Sequence, residues 1–200
     1  NASAGSIQVI TRGPDTEQLR AYGNLSYGDY DFTQVQAGVT GPVASDRLAL
    51  SLDGTLTRRD GFVTDLANPG VDYNDRDRWL LRGQASSQLT EDLKLRVIAD
   101  VSSRDENCCA AVTTIAGPTA AAIAAAGGSL VNPPRPDDFV MTSNANRGYR
   151  SQVDEYGLSA EFTWDSSVGE LTSITAWRNW EASRSQDPDF TNADIVYRPP

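Results

Sequence analysis

The stretch "RLALSLDGTLTRR", residues 47–59, decides how the chain is read. Leu48, Leu50, Leu52 and Leu56 alternate with Arg47, Ser51, Asp53, Thr55, Thr57 and Arg59. A period of two puts the leucines on one face of an extended backbone and the polar side chains on the other, because successive Cβ atoms of a strand point to opposite sides. Six further runs repeat the pattern. In 18–30, Leu19, Ala21, Gly23, Leu25 and Tyr27 oppose Arg20, Tyr22, Asn24 and Ser26. In 32–41, Thr33, Val35, Ala37 and Val39 oppose Gln34, Gln36, Gly38 and Thr40. Trp79, Leu81, Gly83 and Ala85 oppose Arg78, Arg82, Gln84 and Ser86; Leu93, Leu95, Val97, Ala99 and Val101 oppose Lys94, Arg96, Asp100 and Ser102. In 153–164, Tyr156, Leu158, Ala160, Phe162 and Trp164 oppose Glu155, Ser159, Glu161 and Thr163. The seventh run, 170–184, alternates less cleanly, and Ile174, Ala176 and Trp180 are expected on its apolar face.

The connections alternate in length. Residues 41–46, 89–92 and 165–169 read as short turns, whereas 60–77 and roughly 104–151 are long loops rich in Gly, Pro, Asn and Asp. Short turns at one end and long loops at the other suit a transmembrane β-barrel, with the short side periplasmic. The polar faces carry Arg47, Asp53, Arg78, Arg82, Lys94, Arg96, Asp100, Glu155 and Glu161, more charge than a packed core holds without heavy desolvation. The opposite faces are Leu, Val and Ala, with Tyr27, Trp79, Phe162 and Trp164 toward strand ends, where an aromatic girdle would sit. The expectation is all-β: an antiparallel barrel segment of about seven strands forming a curved open sheet, lipid outside and water inside, with long extracellular loops.

Composition removes other classes. The chain has 200 residues, 17 basic and 27 acidic, for a net charge of −10 and no polybasic patch, which argues against a nucleic-acid partner. No window approaches a membrane-spanning helix; "TAAAIAAAGG", 119–128, is too short and too Ala-rich, and reads as a short loop helix at 119–126 ended by Gly127-Gly128. There is no His. Cys108 and Cys109 are adjacent, which fails the CxxC spacing of a redox or zinc motif and leaves open whether they bridge each other, stay free or pair elsewhere. No nucleophile elbow or metal motif appears, so no enzyme, catalytic residue, cofactor or metal site is expected. The start at Asn1 and the end at Pro199-Pro200 read as cut points, so the sequence is expected to be a fragment.

"GSIQVITRGP", residues 5–14, resembles the end of the plug domain of TonB-dependent outer-membrane receptors: Gly5 and Ser6 lead into Ile7 and Val9, then Thr11, Arg12 and Pro14. The resemblance continues in "VTGPVASDRLALSLDGTLTRRDGF" (39–62) and "ELTSITAWRNWE" (170–181) and spans essentially the whole chain. It implies that 1–14 are the C-terminal end of the plug with its linker and that 15–200 are the N-terminal part of a transmembrane barrel that normally has 22 strands. The implied function is active import of scarce nutrients across the bacterial outer membrane, with ferric siderophores the leading cargo. The implied partners are outer-membrane lipid, the remainder of the same receptor, the nutrient, and TonB through an N-terminal box that this sequence lacks. A passive porin or autotransporter barrel and a secreted carbohydrate-binding β protein are the alternatives.

Ligand candidates come from the loops. Asp65, Asp72, Asp75 and Asp77 could hold a hard cation such as calcium, but their spacing does not match an EF-hand and a solvated loop is the simpler reading. Trp177 and Trp180 could stack on a ligand or belong to a girdle. Of these, Asp72, Asp75, Trp177 and Trp180 are the candidate ligand-binding residues. Asp53, Asp100, Glu155 and Glu161 face inward, as a permeation path or as polar wall residues against the plug.

Overall fold

A computed structural model of the chain describes residues 5, 11–44, 47–130 and 138–200. Ser6, Ile7 and Val9 of the plug-like stretch lie outside the described residues. Seven long strands appear where the alternation places them: β1 (Arg20–Gly28), β2 (Phe32–Ala44), β3 (Leu48–Arg59), β6 (Arg76–Gln88), β7 (Leu93–Glu106), β9 (Arg150–Ser166) and β10 (Gly169–Ser185). They form one antiparallel sheet in the order β1-β2-β3-β6-β7-β9-β10, each strand beside the next, with β1 and β10 at its two edges and no further strand paired to either among the described residues. The sheet is all-β and open rather than closed.

Register settles which residues share a face. Leu25 sits opposite Val35, Val35 opposite Leu56, Leu56 opposite Trp79, Leu81 opposite Val101, and Val101 opposite Tyr156. On the other face Gly38 pairs with Asp53, Asp53 with Arg82, and Arg82 with Asp100. The one correction concerns β10. Ser166 and Gly169 close a two-residue turn, Gly169 at φ 140°, and this puts Leu171 opposite Trp164, Trp177 opposite Leu158 and Thr175 opposite Ala160. Ile174, Ala176 and Trp180 therefore oppose Glu161, Ser159 and Glu155, on the charged face and not the apolar one expected. A slip of one residue flips every side chain of a strand, and here the turn sets the register.

Most domains bury the apolar face of a sheet under a second layer. This sheet has none among the described residues: Leu25 is 71%, Leu158 53% and Trp164 50% exposed. Pro42 is accommodated because β1 begins opposite Thr40, so the stretch of β2 beyond it has a free edge where a missing N–H is tolerated.

The buried apolar core lies in the two long connections. There β4 (Val63–Asp65) pairs antiparallel with β5 (Asp72–Tyr73) and parallel with β8 (Val140–Met141). Val63, Tyr73, Ala110, Met141 and Tyr149 cluster, with Phe62, Val112 and Phe190 packed against them. Tyr73 and Tyr149 have ring centroids 4.8 Å apart and Phe62 meets Phe139 edge-on at 5.5 Å, geometries that aromatic quadrupoles favour. The helix α1 (Ala120–Ala125) lies within a residue of its expected place; Gly127, at φ 80°, reverses the chain and lets the Gly128 N–H donate to the Ile123 carbonyl at 2.9 Å. Cys108 and Cys109 are bonded to each other. Asn74 fixes the turn that carries them, its Oδ1 accepting from the N–H groups of Cys109 and Ala110 and its Nδ2 donating to the Ala110 carbonyl.

Gly61 shows how tightly this module is closed. A Cβ there would come within 2.6 Å of the Asp72 backbone and 2.7 Å of the Tyr73 carbonyl. Gly61→Ala should push β5 from β4 and destabilise the module by about 1–3 kcal/mol, as overpacking does elsewhere. Hydrogen exchange should quicken at Phe62, whose N–H donates to Tyr73, while the long sheet keeps its protection.

Candidate functional site

The charged face of the sheet is laced by partners from several strands. Arg178 of β10 donates to both oxygens of Asp100 on β7 at 3.0 and 2.9 Å and lies 3.5 Å from Glu155 of β9. Arg78 of β6 donates to the nearly buried Glu106 of β7 at 2.7 Å, and the Tyr22 hydroxyl donates to Asp53 at 2.9 Å. Asp53, Asp100 and Glu155 are thus each held by a partner on a neighbouring strand or on the strand beyond it.

The segment before β1 lies on this same face. Arg82 and Arg96 donate to the Thr11 hydroxyl at 3.2 and 3.1 Å, Gln84 donates to the Arg12 carbonyl at 3.2 Å, and the Asp15 N–H donates to the Thr40 hydroxyl at 2.8 Å. Arg96 also donates to Gln84 at 2.7 Å. Nearby, Ser51 Oγ, Thr55 Oγ1, Arg82 Nε and Arg96 Nε are buried without a hydrogen-bond partner among the described residues. Buried polar atoms are rarely left so.

At the loop end, two of the four ligand candidates meet. Asp72 and Asp75 line a cleft of about 430 Å³ with Arg58, Arg59, Arg76, Asp77 and Asn107. Asp72 accepts from the Thr64 hydroxyl at 2.9 Å, and Asp75 accepts from the Asn107 N–H at 2.6 Å. Burial raises the Asp75 pKa, with Glu106 and Asp77 adding to the rise and the Asn107 N–H opposing it. Arg59 donates to the Asn74 carbonyl at 2.5 Å and stacks over Phe62. Such a cleft offers both signs of charge at hydrogen-bonding range, chemistry suited to a polar, multiply charged ligand. No group of three or more His, Cys, Asp or Glu is arranged to hold a metal ion among the described residues.

The other two candidates are not brought together. Trp177 packs against Tyr156 on the apolar face, ring centroids 5.4 Å apart, whereas Trp180 lies on the charged face opposite Glu155. They cannot form one stacking platform.

Asp65 departs furthest from a solvated loop acid. It is 1% exposed, and its carboxylate accepts from the Ser143 hydroxyl and N–H, the Asn68 amide, the Ala67 N–H and the Tyr73 hydroxyl. The signal that could have found it is Asn68 three residues on, part of the local turn in which an Asp accepts from the following backbone. Comparison with family models, with curated proteins and with solved structures finds no match.

Burial alone would raise the Asp65 pKa, but the donors from Ser143, Asn68 and Ala67 outweigh it and hold the carboxyl below its ordinary value. A depressed folded-state pKa means stability that is present above the ordinary carboxylate range and lost as pH falls through the folded value. Exchange at Val63–Asp65 should quicken on acidification below about pH 4, and Asp65→Ala should destabilise the module by about 1–3 kcal/mol at neutral pH by orphaning those donors.

Proposed function

We propose that this chain is part of a TonB-dependent outer-membrane receptor, with residues 1–14 the end of its plug and linker and 15–200 the first strands of its barrel. One observation carries the reading: an apolar band on one face of the sheet, bounded by aromatic side chains and then by ion pairs. On β9 the band runs Tyr156, Leu158, Ala160, Phe162, Trp164; on β7 it runs Leu93, Leu95, Val97, Ala99, Val101; on β3 it runs Leu48, Leu50, Leu52, Gly54, Leu56. Past its loop-side rim, marked by Trp79, Tyr156 and Trp177, come Arg58 with Asp77 at 3.7 Å and Arg150 with Asp105 at 2.5 Å. From Tyr156 to Trp164 is about 26 Å along the strand at about 3.3 Å per residue, or roughly 20 Å at a barrel tilt near 40°, comparable with the about 25 Å band of an outer-membrane barrel.

Two further features support it. The unpaired edges of β1 and β10 suit a sheet completed by more strands of the same receptor, since hydrocarbon tolerates only closed barrels. The linker held on the charged face by Arg82, Gln84 and Arg96 suits a chain that enters the barrel from a plug, which a passive porin does not need. The cargo under this reading is a scarce nutrient such as a ferric siderophore, met in part by the mixed-charge cleft around Asp72 and Asp75.

In the full-length protein in lipid, Ala160→Arg, at the middle of the band, should cost about 2–4 kcal/mol near the bilayer midplane, while Thr172→Arg on the charged face should be close to neutral. Equal costs in a denaturation series would remove the lipid-facing assignment. Uptake of the cargo should require both this protein and TonB; uptake that persists without TonB would favour a passive porin instead.

A further inference from the structure

After β10 the chain folds back over the loop module as residues 186–198. Gln186 and Arg198 exchange backbone hydrogen bonds at 3.0 and 2.8 Å, and Gln186 Nε2 donates to the Cys109 carbonyl at 3.2 Å. Asp189 holds the segment's internal shape, accepting from the Thr191 N–H at 3.0 Å, the Thr191 hydroxyl at 2.7 Å and the Val196 N–H at 3.2 Å. The buried Tyr149 hydroxyl donates to the Asp187 carbonyl at 2.6 Å, and Phe190 stacks on Tyr149.

The Asp187 side chain stands out in this arrangement. It is 0% exposed, and both carboxylate oxygens are buried without a hydrogen-bond partner among the described residues. None of the salt bridges among those residues reaches it. The titratable groups facing it are Asp189 on its own segment, Tyr149 ahead of β9, Tyr73 on β5 and, further into the same core, Asp65 on β4. An isolated buried carboxylate is so unfavourable that such a group takes up a proton instead. Two carboxylates are both acceptors and can share a hydrogen bond only when one of them is protonated.

We propose that Asp187 is a protonation-controlled clasp: neutral, it lets residues 186–198 seal the Tyr73–Tyr149–Phe190 core, and ionised, it drives that segment off the module. Burial, and then the neighbouring Asp189, push its carboxyl up to about 7, against a smaller downward pull from the nearby backbone N–H groups of Asn144 and Asp189, neither of which reaches it in hydrogen-bond geometry. A raised folded-state pKa means stability that is complete below the ordinary carboxylate value and lost as pH rises through the folded one. The clasp therefore closes in acid and loosens toward neutral and alkaline pH, opposite in sign to Asp65 in the same module. This inference rests on the module's own packing and holds whether or not the long sheet lies in a membrane.

The test is hydrogen exchange of the full-length protein between pH 4 and 8.5, corrected for the intrinsic pH dependence of exchange and read on peptides covering 186–198 and Tyr149. Opening should increase by up to about tenfold per pH unit from about pH 4 to about pH 7 and then level off. Asp187→Asn should keep the segment closed and abolish the slope. Asp189→Asn, which removes the neighbouring charge, should keep the slope but bring its upper end to lower pH. A flat wild-type profile, a slope that survives Asp187→Asn, or an upper end unmoved by Asp189→Asn would overturn the proposal. So would protection at pH 8 that appears only with added calcium and vanishes in Asp187→Asn, because the orphan carboxylate would then belong to a cation.

Discussion

Every strand of the main sheet directs apolar side chains to a face that no described part of the chain covers, and much of the architecture follows from that constraint. In water such a face would drive association, since contiguous exposed apolar surface of this extent marks an interaction site on a protein. On most strands the residues present are those that hydrocarbon tolerates, Leu, Val and Ala in the middle, aromatic rings at the margins and ion pairs beyond, while β10 adds Ser173 and Thr175 between Leu171 and Trp177. The opposite face can then hold arginines and carboxylates, because it need not be a dry core. Under the proposed reading lipid supplies the missing layer.

The loop module solves a different problem. Its core of Val63, Tyr73, Met141 and Tyr149 is built from segments far apart in sequence and joined by very short strands. So small a core gains stability from saturated polar contacts as well as from area. Asp65 is surrounded by donors, Asn74 closes the turn of the bonded cysteines, and Tyr149 ties the chain after β10 to the rest. Asp187, a buried carboxylate there with no donor in hydrogen-bond geometry among the described residues, is where the same low dielectric that strengthens Asp65 works against an ionised group.

The charged face links the two. Its cross-strand contacts, Arg178 with Asp100 and Glu155, Arg78 with Glu106 and Tyr22 with Asp53, join strands that the backbone ladder already pairs or that lie one strand further apart. They add specificity of register more than bulk stability, because half-exposed ion pairs are worth little each. Arg82 and Arg96 face the linker rather than a neighbouring acid, which leaves their remaining donors for whatever else covers that face.

What the sequence determined by itself was everything that depends on a period of two. The leucines of 48–56, the valines and leucines of 93–101 and the aromatics of 156–164 could be assigned to a face before any pairing was known, because neighbouring side chains of a strand must diverge. The short helix was legible for the same local reason, an alanine run closed by Gly127-Gly128. Tertiary structure decided what local pattern cannot carry. The faces of Ile174, Trp177 and Trp180 depend on where a two-residue turn sets the register of β10, and their own alternation is too weak to say. The union of Asp72 and Asp75 in one cleft depends on β5 folding onto β4. Asp65 gains donors from Ser143 and Tyr73 beyond its local ones at Ala67 and Asn68, whereas Asp187 has no donor in hydrogen-bond geometry among the described residues, and that difference is made only by the packed chain.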